Sequence, residues 1–180
     1  PDSDGTDNDS DGTCNDGDST PDGEVALTFI NMTESSADIA YTATMDMYGF
    51  QFDLPSGVTL ESVSSDSLTT TAGTNGVIGF SFDGTIFPAG QGTLATLTFT
   101  PLLDGSSISL SGVLISGVGG ANIAAFGPDA AIVPVCAQSP YFDDNADSDG
   151  YGAGASSQYC DANVDSGWIL TGGDNCPNDA

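Results

Sequence analysis

The chain has 180 residues and a net charge of −26, because it carries 26 acidic residues and no Lys, Arg or His. A chain without cations cannot neutralise phosphates, so nucleic-acid binding and docking on anionic lipid are excluded. A His or Lys general base, a Ser-His-Asp triad and a phosphate-binding P-loop are excluded for the same reason.

The acidic residues divide the chain into three parts. Eight Asp lie in residues 1–22, ten acids are spread over residues 23–135, and eight Asp lie in residues 136–180. The overall hydrophobic fraction of 38% suffices for a buried core if the apolar residues cluster in the middle part. We therefore predict an Asp-rich head (1–22), a folded middle domain (23–135) and an Asp-rich tail (136–180).

The head places carboxylates at alternate positions, followed by a glycine. Counted from Asp7, oxygen ligands occupy slots 1, 3, 5, 7, 9 and 12 of an EF-hand-type loop, and Gly12 occupies slot 6, where the chain turns sharply. Because Ca²⁺ takes six to eight oxygens, this pattern predicts a calcium site, with an Asp in place of the usual Glu at slot 12. The predicted ligands are Asp7, Asp9, Asp11, the Thr13 carbonyl, Asn15 and Asp18.

A second loop overlaps the first. Its first ligand would precede Pro1, so the site is incomplete in this chain or is completed by another segment. Its predicted ligands are Asp2, Asp4, the Thr6 carbonyl, Asn8 and Asp11.

The middle domain alternates apolar and polar residues with the period of a β-strand, as in Tyr48–Leu54 and Val25–Phe29. Turn signals such as Asn75-Gly76 and Asp104-Gly105 separate these runs. About nine short strands at this spacing predict a β-sandwich, with the aromatic residues in its core rather than on a ligand platform. Further strands are predicted at 39–45, 80–82, 97–99, 108–110, 113–115 and 131–135.

Four segments of the middle domain resemble cohesin domains. The segments Gly49–Pro55 and Val58–Val63 are similar to early cohesin strands, and Gly92–Phe99 and Ser109–Leu114 are similar to later ones. The resemblance covers roughly residues 23–135 and implies a nine-stranded jelly-roll sandwich. Some cohesin domains bind dockerin partners and others are building blocks of surface proteins, and the sequence does not identify a binding face.

The tail carries a related Asp-rich loop. Asn145, Asp147, Asp149 and the Tyr151 carbonyl occupy ligand slots, but slot 12 is a Ser, so a remote acid must complete the shell. We predict that this acid is Asp174. The alternatives for this ligand are Asp143, Asp144 and Asp161.

Head and tail both resemble thrombospondin type 3 repeats, which are Asp-rich, nearly helix-free stretches wrapped around calcium. The tail is also similar to a module of bacterial surface proteins, in which an Asp-rich loop precedes Cys, Gly-aromatic-aliphatic and Asp near a second Cys. Here these elements are Asn145–Gly152, Cys160, Gly167–Ile169 and Asp174 beside Cys176. The resemblance implies several bound Ca²⁺ ions and irregular, calcium-wrapped segments at both ends.

The four cysteines are Cys14, Cys136, Cys160 and Cys176. An even number in an acidic chain of this type predicts disulfides and an oxidising compartment. Three pairings are possible, and we favour Cys160–Cys176 together with Cys14–Cys136. The absence of His and of a CxxC pair argues against zinc.

Two N-glycosylation sequons occur, at Asn8 and Asn31. Because Asn8 is also a predicted ligand, Asn31 is the better glycan candidate.

No apolar run reaches about 18 residues, so we expect no membrane insertion. Since residue 1 is not an initiator Met, we expect a mature or excised part of a secreted protein.

The two ends of the chain read as halves of one Asp-rich repeat when the last residues are placed before the first. A head-to-tail contact that does not close on itself builds a filament. We therefore predict a non-catalytic extracellular or cell-surface structural protein, a calcium-stabilised subunit of a fibre, stalk or adhesin array.

The alternative is a binding module in which the sandwich recognises a dockerin-like partner or a carbohydrate. An acid-pair glycosidase is disfavoured, because Glu24, Glu34 and Glu61 and the scattered Asp form no visible cluster.

Overall fold

A computed structural model of the protein describes residues 5–9, 12–144 and 150–174. These residues form strands, joined by turns and one 3₁₀ turn at Val118–Gly120. Within the described part of the chain, no helix has the length and apolar character needed to cross a bilayer. The strands are β1 (Glu24–Ile30), β2 (Ser36–Ala43), β3 (Gly49–Asp53), β4 (Leu60–Ser64), β5 (Thr69–Ala72), β6 (Gly76–Phe80), β7 (Gly90–Phe99), β8 (Ser106–Ile108), β9 (Leu114–Ser116), β10 (Asn122–Phe126), β11 (Ala131–Val133), β12 (Gln138–Asp143), β13 (Ala153–Cys160) and β14 (Trp168–Ile169).

Nine strands of the middle domain form one continuous sheet in the order β4-β7-β2-β1-β10-β9-β3-β6-β5. Strands β1 and β10 pair in parallel, and all other neighbours in this sheet are antiparallel. The sheet folds over so that its two halves face each other across one core. The predicted all-β sandwich of about nine strands is therefore confirmed.

The core is built from the inward-facing positions of both halves. In β3, Phe50 and Phe52 are buried while Gln51 is exposed, as the period of two predicts. The two rings stack with centroids 5.7 Å apart. They share one cluster with Ile39 of β2 and Leu97 of β7, which are fully buried. The aromatic residues of β3 thus lie in the sandwich core, as predicted.

Several strand boundaries differ from the prediction. Strand β6 ends at Phe80, and Phe82 lies in the following turn with 83% of its surface exposed. Strand β2 ends at Ala43 rather than residue 45. Strand β4 lies largely in the segment Val58–Val63, which the resemblance to cohesin strands indicated. The strands β5 and β10 were not predicted, because Thr or Ala dominates them and they lack an apolar alternation that would mark them.

The described part of the tail is not the irregular segment that the resemblance implied, but is built around a β-sheet. It contains a three-stranded antiparallel sheet in the order β13-β12-β14, which we call the tail sheet. Residues 150–160 carry no acid, so no charge repulsion opposes pairing of β13 with β12. Phe142 packs against Gly152 and Gly172, where an added Cβ would approach its atoms to 2.4 and 2.6 Å. A larger residue at either position would collide with Phe142, so the close packing requires both glycines.

Candidate functional site

The backbone of the head closes the predicted calcium loop. The Asn15 amide donates to the Thr6 carbonyl at 2.8 Å, and the Gly12 amide donates to Asp7 Oδ2 at 3.1 Å. Gly12 has φ of +96°, a conformation that side chains other than glycine rarely adopt. The glycine predicted at the sharp turn therefore performs that role.

Two carboxylates of this loop each leave one oxygen buried without a hydrogen bond. Asp18 accepts from the Thr20 amide and hydroxyl through Oδ1, just as Asp7 accepts through Oδ2. The other oxygens, Asp7 Oδ1 and Asp18 Oδ2, are buried and have no hydrogen-bond partner among the described residues. A buried anionic oxygen without a partner is costly unless a cation compensates it. The two residues occupy the first and last ligand slots of the loop predicted from the sequence.

Asp9 connects the head to the sandwich. It is 4% exposed, and its Oδ2 accepts a hydrogen bond of 3.3 Å from the hydroxyl of Thr44, just after β2. Gly23 fits closely against Met45, since an added Cβ would lie 2.8 Å from that side chain. The loop is thus anchored against the connection between β2 and β3.

The structure describes only some of the other ligands predicted in the head. Asn15 Oδ1 accepts a hydrogen bond of 3.0 Å from the Asn8 amide, and Asn8 and Thr13 are exposed. Asp2, Asp4 and Asp11 lie outside the described residues. Among residues 5–9, 12–144 and 150–174, no group of three or more His, Cys, Asp or Glu side chains is arranged around a common metal position. The middle ligand of the loop, Asp11, is not part of that range.

The tail brings Asp174 beside the end of its Asp-rich loop. The Asp174 amide donates to the Gly152 carbonyl at 3.2 Å, next to Tyr151, which is 51% exposed. Asn145, Asp147 and Asp149 lie outside the described residues, so the calcium site of the tail stays a prediction.

The structure corrects the favoured disulfide pairing. Cys136 is bonded to Cys160, with their Cα atoms 5.5 Å apart, so the predicted pairs Cys160–Cys176 and Cys14–Cys136 are wrong. The register explains the bond, because Cys160 of β13 lies opposite Gln138, two residues after Cys136. Cys14 has no disulfide partner among the described residues, and Cys176 lies outside them. A pairing of this kind depends on strand register, which cysteine spacing does not reveal.

The glycan candidate Asn31 lies in the turn between β1 and β2. It is exposed with φ of 50°, and its Nδ2 donates to Asp38 Oδ2 at 2.7 Å. Its glycosylation stays a prediction.

The outward side of strands β6, β3 and β9 carries a feature that the sequence did not reveal. Gln51 lies opposite Ile78 on one neighbouring strand and Leu114 on the other. Ile78 and Leu114 are 43% and 52% exposed. We call this surface the outer face and define it by Gln51, Ile78, Phe80, Leu114 and Gly49.

Gly49 makes the outer face concave. It lies between Phe80 of β6 and Ser116 of β9, and an added Cβ there would lie 3.1 Å from Ser116 Oγ and 3.0 Å from the Gly79 carbonyl. The missing side chain contributes to a depression of about 380 Å³. The signal in the sequence was Val77-Ile78, two β-branched residues in succession, one of which must point away from the core.

Negative charge flanks the outer face at both ends of the β3–β6 ladder. Asp53 is exposed at one end, where Ser111 Oγ donates to its Oδ2 at 3.0 Å. Asp83 follows Phe80 at the other end. Hydrogen bonds from the hydroxyl and amide of Thr85, and from the Ser81 hydroxyl, lower the pKa of Asp83 to about 2. The outer face therefore combines an apolar centre with anionic ends.

No protein-family model matches the chain, and no curated protein matches it. Several solved structures are similar to it. A cohesin module from a family 33 glycoside hydrolase of Clostridium perfringens is 12% identical, with a TM-score of 0.46, and the match covers 63% of this chain and 96% of that module. A cohesin from a Clostridium thermocellum cohesin–dockerin complex is 11% identical, with a TM-score of 0.49 over 64% of this chain and 95% of that one. A non-cellulosomal cohesin from Archaeoglobus fulgidus is 13% identical, with a TM-score of 0.42 over 63% and 92%.

Proposed function

We propose that this protein is a non-catalytic extracellular module whose outer face binds a protein partner. The single observation that carries the proposal is the pair of exposed apolar residues Ile78 and Leu114, which lie on either side of Gln51 on a regular sheet. Contiguous exposed apolar surface on a soluble domain is typical of interaction sites. The Cys136–Cys160 disulfide supports an oxidising, extracellular location.

Charge indicates the kind of partner. The chain has no cation to offer, and Asp53 and Asp83 flank the apolar centre of the outer face. A partner with an apolar patch between Lys or Arg side chains complements this pattern, and such complementarity speeds association and selects partners. One similar protein is described in complex with a dockerin. Dockerins are therefore the first class of partner to test.

The test is a selection from a displayed library of dockerin sequences against the whole chain, followed by measurement of Kd. Ile78→Asp and Leu114→Asp each place a charge at the apolar centre. We expect a loss of about 2 kcal/mol or more, as for interface hot spots, which is a factor of about 30 in Kd. Ile132→Asp is the matched control, because Ile132 is 74% exposed on β11, outside the outer face. No binders, or an equal loss with the control, contradicts the proposal.

We also propose that the head binds Ca²⁺ through Asp7, Asp9, Asp11, the Thr13 carbonyl, Asn15 and Asp18. The buried, unpaired oxygens of Asp7 and Asp18 support this proposal. The ion would supply the charge that these oxygens require, and it would stiffen a loop that Asp9 anchors at Thr44.

Calorimetric titration with Ca²⁺ tests the head site. The double variant Asp7→Asn/Asp18→Asn should bind one ion fewer than the wild type, whereas Asp129→Asn, at an exposed Asp outside the loop, should match the wild type. Counting ions separates the head from any site in the tail. Equal stoichiometry of all three proteins would show that the head loop does not bind the ion.

Head-to-tail assembly into a fibre is a further proposal, supported by the Asp-rich composition of both head and tail. Electron microscopy with calcium and with excess EGTA tests it. Fibres that shorten on chelation would support calcium at the junctions, and monodisperse particles in both conditions would contradict assembly.

A further inference from the structure

A cleft of about 530 Å³ lies where the sandwich meets the tail sheet. One wall is the loop of residues 100–105 between β7 and β8, and the other contains Tyr159, Cys160 and Asn163. Its volume falls within the range of about 300–1,000 Å³ that is usual for ligand sites, which often form between structural units. Neither the outer face nor the head contributes to it.

The two walls are fastened to each other. The Cys136 amide donates to the Leu102 carbonyl at 3.2 Å, and Gln138 Nε2 donates to the Leu103 carbonyl at 3.4 Å. The disulfide then joins Cys136 to Cys160 on the opposite wall. The cleft is therefore a preformed feature, held by one covalent bond and two hydrogen bonds.

An aromatic cluster adjoins the cleft through Tyr159. Its ring centroid lies 4.8 Å from that of Trp168 and 6.3 Å from that of Tyr141. Strand register explains the grouping. Tyr159 lies opposite Ser139 and Trp168 opposite Asp143, so both share a side of the tail sheet with Tyr141. All three side chains are half-buried, so the rings retain accessible surface.

Polar groups beside the rings restrict the ligand chemistry. Asp104 and Asn163 are exposed at the cleft and offer a carboxylate and an amide. A net charge of −26 and the absence of any cationic side chain disfavour phosphorylated or carboxylated ligands. An aromatic face attracts the electropositive C–H edge of a ring, while carboxylate and amide groups bond hydroxyls. A neutral, polyhydroxylated ring satisfies both conditions.

We propose that this cleft binds a neutral saccharide. One sugar ring stacks on Tyr159, and its hydroxyls bond to Asp104 and Asn163. This site shares no residue with the outer face or the head. The saccharide proposal can therefore be disproved while the proposals of partner binding and calcium binding stand, and the reverse also holds.

The single Trp of the chain, Trp168, provides the readout because it contacts Tyr159. We would titrate the whole chain with cellohexaose, xylohexaose, mannohexaose and chitohexaose, and with hexagalacturonate as the anionic comparison. The proposal predicts a saturable change in fluorescence, with matching heat in calorimetry, for at least one neutral sugar and none for the anionic one. No saturable response to any of the four neutral sugars overturns it.

Variants locate the site. Tyr159→Ala should weaken calorimetric binding at least tenfold, whereas Tyr159→Phe keeps the stacking ring and most of the affinity. Asn163→Ala changes an exposed side chain, so it should weaken binding without disturbing the fold. Tyr48→Ala, which removes a ring bordering the outer face, is the control and should bind as the wild type does. Wild-type affinity in both Tyr159→Ala and Asn163→Ala overturns the proposal.

Discussion

The middle domain and the two flanking segments hold their structure in different ways. The sandwich buries a continuous cluster of apolar side chains drawn from both halves of its sheet. In the described part of the flanks, the only buried apolar residues are Cys136 and Cys160, and the only buried charged residue is Asp9. One chain therefore combines a domain stabilised by the hydrophobic effect with segments that depend on a disulfide and, as we propose, on metal.

We expect the largest change in the free energy of unfolding from a substitution in the sandwich core. Phe52 is 1% exposed, so Phe52→Ala should lower the free energy of unfolding by about 3–5 kcal/mol through lost burial and an unfilled cavity. Phe82→Ala is the matched control, because Phe82 is 83% exposed and the change should stay within about 0.5 kcal/mol. Urea unfolding measures both. Equal effects would show that the core does not stabilise the sandwich in this way.

Removal of the Cys136–Cys160 disulfide should destabilise the protein less, and mainly in the tail sheet. Closing a loop with a sequence separation of 24 residues stabilises by about 3 kcal/mol in the chain-entropy model. The double variant Cys136→Ser/Cys160→Ser should therefore raise amide exchange in β12 and β13 and leave β1–β7 unchanged. Hydrogen exchange with peptide resolution measures this. Comparable loss of protection in β2 and β7 would mean that tail and sandwich unfold as one unit.

The smallest effect concerns pH. The folded-state pKa of Asp83 is about 2, below its ordinary value of 3.8, because Thr85 and Ser81 donate to the ionised carboxylate. A depressed carboxyl pKa stabilises the fold above the unfolded pKa, and that contribution disappears as the pH falls from about 4 to about 2. NMR titration of the Asp83 carboxyl carbon should give a midpoint near 2. The variant Thr85→Val should raise the midpoint toward 3.8, and an unchanged midpoint would exclude the hydroxyl as the cause.

The sequence predicted those features that depend on the spacing of residues within one short segment. The period of two over residues 48–54 located β3, and the slot spacing from Asp7 located a loop whose backbone closes around Gly12. Features that depend on which strands become neighbours could not be predicted. The Cys136–Cys160 bond follows from the register of β12 and β13, and the outer face requires β6 and β9 on either side of β3.

The tail sheet shows a second limit of sequence patterns. Strand β13 reads Ala-Gly-Ala-Ser-Ser-Gln-Tyr-Cys, in which no apolar alternation marks a strand. It pairs because β12 supplies a partner and the disulfide holds one end of the pair. The resemblance to irregular repeats therefore predicted an irregular tail where the structure has a sheet.

Hydrogen exchange of the whole chain in calcium and in EGTA is the most direct test of the contrast between the sandwich and its flanks. We predict that calcium slows exchange of the Gly12, Asn15 and Gly17 amides in the head, while protection in β1, β2, β3 and β7 stays the same. Loss of protection in these sandwich strands on chelation would contradict a core that is independent of metal. Identical exchange in the head under both conditions would contradict calcium binding by Asp7 and Asp18.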